Sequence, residues 1–310
     1  GCGSDADKIP FVSEVDGDAE IYVIDPDSGE AVPLTDNHSS DTNPIWSPDG
    51  KDVAYVSDES GDLEINVVDD KGKLTRRLTY IPGDDRTPLW SPDGQDLAFI
   101  SNQDGNAEVY LMTADGGRAV RITAEEPDDR IGDWSPDGVW LAFARGGSSD
   151  ERGLWLRNPD GVNLVHLTTE NDFDPVWSPN GKHIVFVRDA DGNLDLFLAS
   201  RLKDGTWQDE VQLTRLTQHE EDDLAPAWSP DGDFVAFVSF RDGNGEIYIM
   251  ESDGSRQLRL TTNGADDLGP VWSPDGNQMA FVSHLYGPSE IFIMDDDGGN
   301  QRRLTTNDAE

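Results

Sequence analysis

The chain has 310 residues and sets 63 Asp and Glu against 23 Lys and Arg, a formal net charge of −40 at pH 7. Such a surface repels nucleic acid and anionic lipid, which argues against DNA or RNA as a partner, and it suits a high-salt or cation-rich exterior that screens the self-repulsion. No stretch approaches the roughly 18 apolar residues that a membrane-spanning helix needs.

In chain order, the first feature is Gly1-Cys2-Gly3-Ser4-Asp5, which holds the only cysteine. No disulfide can form within the chain, so pairing says nothing of the redox compartment. Gly-Cys followed by small and polar residues looks like the end of a bacterial lipoprotein signal, with Cys2 the lipidated residue; a tag remnant is the alternative. Residues 1–8 read as a linker. From Ile9 to Thr35 come three short apolar runs, Phe11-Val-Ser13, Glu20-Ile-Tyr-Val-Ile24 and Val32-Pro-Leu-Thr35.

The next six units all open on one pentapeptide. Trp-Ser-Pro-Asp-Gly stands at Trp46–Gly50, Trp90–Gly94, Trp134–Gly138, Trp228–Gly232 and Trp272–Gly276, with Asn for Asp at Trp177–Gly181. Successive Trp residues are 44, 44, 43, 51 and 44 residues apart. After Trp46 follow Val53-Ala-Tyr-Val-Ser57, Glu64-Ile-Asn-Val-Val68 and Arg76-Arg-Leu-Thr79, and the later units repeat the pattern. Short runs rich in β-branched and aromatic residues, bounded by Gly, Asp, Asn or Pro, predict strands joined by tight hairpins. With a strand ending at the Trp, each unit makes four antiparallel strands, one propeller blade. The prediction is an all-β single propeller over 9–310 with seven blades, the first lacking its inner strand; six and eight are the alternative counts. No closing Pro-x-Trp-Ser run follows Thr306. The Trp rings are expected between blades, and Pro-Asp-Gly at the turn into the following strand.

The repeat Asp-x-x-Pro-x-Trp-Ser-Pro-Asp-Gly, then Leu/Val-Ala-Phe-Val-Ser, Glu-Ile-Tyr-Ile-Met and Arg-Leu-Thr, resembles the TolB-like, WD40-like propeller repeat called PD40 across residues 9–310. The resemblance implies a periplasmic or extracellular monomer that binds a protein or peptide of the cell envelope at its top face and channel mouth.

Five residues before each Trp stands an acid: Asp41, Asp85, Asp129, Asp172, Asp223 and Asp267, doubled by Asp84, Asp128, Asp222 and Asp266. In a propeller the loops feeding the inner strands gather at one mouth of the channel. Carboxylates meeting there repel one another unless a cation offsets them, and hard oxygen ligands suit Ca2+. The alternative is that each Asp accepts hydrogen bonds within its own loop. Arg86 and Arg130 flank the acids and are candidate partner contacts. The acidic loops Val15–Glu20 and Asp189–Asp195 do not have EF-hand spacing and read as hairpin turns.

The 51-residue unit carries an extra segment, Ser200–Glu210, with Trp207. It reads as a longer outer hairpin with Trp207 packed on its blade; a partner contact is the alternative. No Gly-x-Ser-x-Gly, His-Glu-x-x-His or phosphate loop occurs, and His38, His166, His183, His219 and His284 share no spacing. The sequence reading is an exported, non-catalytic binding scaffold. A calcium-dependent adhesion module and a polysaccharide lyase are its alternatives.

Overall fold

The computed structural model of the chain describes residues 8–306 except 16, 149, 191 and 203–205. The first sheet has three strands, β1 (Ile9–Ser13), β2 (Glu20–Ile24) and β3 (Ala31–Pro33). The second runs β4 (Asp41–Trp46), β5 (Asp52–Ser57), β6 (Glu64–Asp69), β7 (Thr75–Arg77). The third runs β8 (Asp85–Trp90), β9 (Asp96–Ser101), β10 (Glu108–Thr113), β11 (Val120–Arg121). The fourth is β12 (Asp129–Trp134), β13 (Leu141–Arg145), β14 (Gly153–Arg157), β15 (Leu164–His166). The fifth is β16 (Asp172–Trp177), β17 (His183–Ala190), β18 (Asn193–Arg201), β19 (Val211–Arg215). The sixth is β20 (Asp223–Trp228), β21 (Phe234–Ser239), β22 (Glu246–Glu251), β23 (Leu258–Arg259). The seventh is β24 (Asp267–Trp272), β25 (Gln278–Ser283), β26 (Glu290–Asp295), β27 (Arg302–Arg303). Seven sheets in sequence order, the first short of one strand, are the predicted seven propeller blades.

The chain packs as two compact units that divide between Ile131 and Gly132. The first carries blades one to three and the second blades four to seven, with the boundary inside β12. Within each unit the core lies between adjacent blades. Ile21, Val53 and Tyr55 join blades one and two, and Ile65, Phe99 and Met112 join two and three. In the second unit Leu154, Ile184 and Phe186 join four and five, while Ala236, Ile247 and Phe281 join six and seven. Each fully buried Ile, Leu or Phe contributes about 1.5–3 kcal/mol, so the seams between blades hold most of the apolar stabilisation.

The pentapeptide makes both the turn and a seam. Ser91 Oγ donates to Asp93 Oδ1 at 2.7 Å, and Gly94 N bonds Ser91 O at 2.8 Å with Gly94 at φ 70°. A positive φ costs glycine nothing, which is why every unit ends the motif on Gly. The Trp side chain reaches the preceding blade. Trp90 Nε1 donates to Ile45 O at 3.2 Å, Trp228 Nε1 to Val176 O at 3.2 Å and Trp272 Nε1 to Ala227 O at 3.1 Å.

The first strands carry a feature that composition hides. Asn43, Thr87, Asp174 and Ala225, each just before a Pro, take φ of 50–54°, and the pairing with the next strand slips there. These are β-bulges: the first strand carries an extra residue that the neighbouring strand does not match, and the residue before the proline takes the left-handed conformation there.

Candidate functional site

One polar node recurs at the same end of the blades. A threonine after the last strand accepts from a backbone N–H of the next-to-last strand, at 2.8–2.9 Å in all seven: Thr35, Thr79, Thr123, Thr168, Thr217, Thr261 and Thr305. In blades two, three and seven its hydroxyl donates to the glutamate that opens that strand, Glu64, Glu108 or Glu290. An arginine two residues before the threonine completes the node. Arg121 Nη2 meets Glu108 at 2.6 Å, Arg259 meets Glu246 at 2.6 Å and Arg303 meets Glu290 at 2.6 Å; Arg77 and Arg215 pair the same way with Glu64 and Asp195. The glutamates are buried, so the arginine and the hydroxyl offset the cost of taking a carboxylate out of water.

The six predicted aspartates open the first strands and are all buried. Their partners differ. Arg188 binds Asp172 through Nε at 2.6 Å and Nη2 at 2.8 Å, and Arg241 Nη2 lies 3.0 and 2.9 Å from the two oxygens of Asp223. Asn37 and Asn263 donate to Asp41 at 2.7 Å and Asp267 at 2.6 Å. Asp85 accepts from the hydroxyls of Ser101 and Thr79. Burial raises its carboxyl to about 6, against the pull of those hydroxyls, and raises Asp41 and Asp267 as well. Among the described residues no three His, Cys, Asp or Glu side chains come together as metal ligands. Asp172 and Asp223 are each paired with an arginine of their own blade.

Between blades two and three lies a cleft of ≈ 680 Å³. Asp85, Phe99 and Tyr110 line its inner part; Tyr80, Ile81 and Val120 stand at its exposed edge, 68%, 55% and 57% accessible.

The family profile described as TolB beta propeller domain matches residues 58–220 and 209–310. The chain belongs to the TolB β-propeller domain family. A protein named TolB homolog from Chlorobium luteolum is 36% identical over 78 residues, 25% of this chain and 16% of that protein. The chain thus matches a small part of that relative's length. Among solved structures, a putative TolB from Agrobacterium tumefaciens aligns at TM-score 0.58 and 21% identity over 96% of this chain and 89% of the other. An oligogalacturonate lyase in complex with manganese aligns at TM-score 0.75 and 20% identity over 94% and 86%. At these identities the structures share the fold.

In this TolB-type propeller the remaining predicted residues separate. Arg86 is exposed and bonds Asp84 at 2.7 Å; Arg130 is exposed. Trp207 is not a surface contact. It is 3% exposed and packs edge-on to Trp177, ring centroids 4.9 Å apart, because the long outer hairpin folds back onto the seam between blades four and five. Cys2 lies outside the described residues. Sequence reasoning missed Asp133, which stands where other first strands carry an apolar residue such as Leu89 or Val176. Its Oδ2 accepts from Trp177 N at 2.9 Å, and burial raises it to about 6. It also missed Tyr80 and Ile81; the available signal was at Ile81, where other units carry the polar Asn37, Glu125, His219 and Asn263.

Proposed function

We infer that this TolB-type propeller is an exported, non-catalytic scaffold of the cell envelope, periplasmic or extracellular, that engages a protein or peptide partner. The observation that carries this reading is the exposed Tyr80, Ile81 and Val120 at the mouth of the cleft, on a chain whose net charge is −40. Tyr80 and Ile81 lie in the loop before Asp85, one of the loops that open each inner strand. An aromatic and aliphatic patch rimmed by charge is the usual composition of a recognition surface. The arginines of the repeat pair with acids of their own blades, as in Arg121–Glu108 and Arg188–Asp172, so in this reading the scaffold needs neither a nucleophile nor calcium. A basic partner suits the charge, since like charges across an interface cost several kcal/mol.

The test is an activity screen. The purified chain, with and without calcium or manganese, is incubated with peptide libraries and with oligogalacturonate. No turnover above buffer is expected. Reproducible hydrolysis or lyase cleavage that follows the protein through purification would overturn the scaffold reading.

A further inference from the structure

Blades three and six are in register along their whole length, every residue of one lying 138 positions from its counterpart. In blade six the guanidinium of Arg241 sits in a slot. Its Nη2 binds Asp223, its carbon lies 4.6 Å from the Tyr248 ring centroid and 5.7 Å from that of Phe237, and Nη1 donates to Gln257 Oε1 at 2.8 Å. Gln257 then closes the seam by donating to Leu216 O of the preceding blade at 3.1 Å.

Blade five builds the same slot from a different backbone position. Arg188 comes 16 residues after its aspartate and Arg241 18 residues after its own, yet both end on the Asp. Arg188 lies 4.6 Å from the Phe197 ring and 5.5 Å from that of Phe186. The slot is therefore defined by the carboxylate and the ring pair, and it accepts a guanidinium from more than one direction.

Blade three has the carboxylate and the rings without the guanidinium. Asp85 corresponds to Asp223, and Phe99 and Tyr110, with centroids 5.7 Å apart, correspond to Phe237 and Tyr248. Three substitutions leave the slot open. Gln103 stands for Arg241, Ala119 for Gln257, and Ser101 for the arginine of blade five. The asparagine that serves Asp41 and Asp267 four residues upstream is replaced by the exposed Ile81. Among the described residues no arginine or lysine pairs with Asp85, and the cleft reaches it.

We propose that the cleft between blades two and three binds an arginine side chain of a partner polypeptide, its guanidinium on Asp85 and over Phe99 and Tyr110, with a neighbouring apolar residue on Tyr80, Ile81 and Val120. The inference deepens the scaffold reading and rests on it. A buried ion pair with two aromatic faces discriminates by charge and by planarity, which lysine matches poorly. The raised carboxyl of Asp85 fits a group that lacks its cation, and the charge of the chain favours a cationic segment.

The experiment is a calorimetric titration of the full chain with a short amidated peptide carrying one arginine between leucines, its citrulline and lysine counterparts, and guanidinium ion alone. The arginine peptide is expected to bind, with citrulline weaker by roughly 30-fold or more, the loss typical of removing one partner of a buried charge pair. The double variant Gln103→Arg, Ala119→Gln supplies the internal guanidinium; it should melt at a higher temperature and lose the peptide. Asp85→Asn should lose the peptide while remaining folded. Equal binding of citrulline, unchanged binding by the filled variant, or guanidinium ion as tight as the peptide would each overturn the proposal. If the filled variant still captures the envelope partner that the wild type captures, the slot is wrong and the scaffold reading stands; turnover would instead defeat the scaffold reading.

Discussion

Arg188 holds Asp172 by both carboxylate oxygens, at 2.6 and 2.8 Å, from the neighbouring strand of the same blade, with the Asp172 side chain wholly buried and that of Arg188 15% exposed. The pair turns an acid from the predicted mouth into an internal brace. Removing one partner of such a pair strands the other in a low-dielectric site. Arg188→Ala is therefore expected to lower stability by about 3–5 kcal/mol in urea unfolding. Adding Asp172→Asn should restore part of that loss. If the single variant costs no more than an exposed surface change, the brace is not needed.

A pH dependence follows from Asp85 and Asp133, both raised by burial to about 6 from an ordinary value of 3.8. Between those values the folded chain keeps the two protons and the unfolded chain releases them. The folded state then binds more protons, so stability falls as pH rises through that window and levels off above it. Asp85→Asn with Asp133→Asn should flatten the fall. The variant is expected to match the wild type near about pH 4 and to exceed it at about pH 8. Parallel stability curves would show that neither carboxyl titrates there.

Gly153 takes the position that an acid holds in other blades. Its φ is +121°, and an added Cβ would lie 2.0 Å from Thr168 O, a backbone atom that cannot move aside cheaply. Beyond it, His166 stacks on Trp155 at 3.9 Å in the place of the usual arginine. Gly153→Ala is expected to cost about 3 kcal/mol or more, through strain and a forced shift of the last strand. Thermal unfolding measures it, and a loss below about 1 kcal/mol would contradict the contact.

Calcium supplies a fourth check. Because arginines already occupy Asp172 and Asp223, calcium chloride is expected to raise the melting temperature no more than sodium chloride of equal ionic strength. A calcium-specific rise that vanishes in the Asp85, Asp129 and Asp223 to Asn triple variant would place a cation among them.

Much of the fold was legible because Trp-Ser-Pro-Asp-Gly marks both a turn and a seam, and the flanking strands keep fixed distances from it. The hairpins were legible from their Asp-Gly and Gly-Asn pairs. The polar node was harder to see. Glu64 and Arg77 are 13 residues apart, and only the antiparallel pairing of β6 with β7 brings them together. Trp207 was ambiguous because a long hairpin can point outward or fold back, and its partner Trp177 stands 30 residues earlier, on the first strand of the same blade. The left-handed bulges share only the following proline, since Asn, Thr, Asp and Ala have no common side-chain chemistry. Ile81, Gln103 and Ala119 look like ordinary loop residues until they are set against blade six, where the same places hold His219, Arg241 and Gln257.

In the proposed function this propeller recognises a polypeptide through the patch around Tyr80. The most direct measurement is quantitative capture from envelope extract by the wild type and by Tyr80→Ala with Ile81→Asp, at low and high salt, with the bound protein identified by mass. One discrete basic protein is expected on the wild type, held less tightly at high salt and absent from the double variant. Equal capture by both chains, with the variant folded, would contradict it.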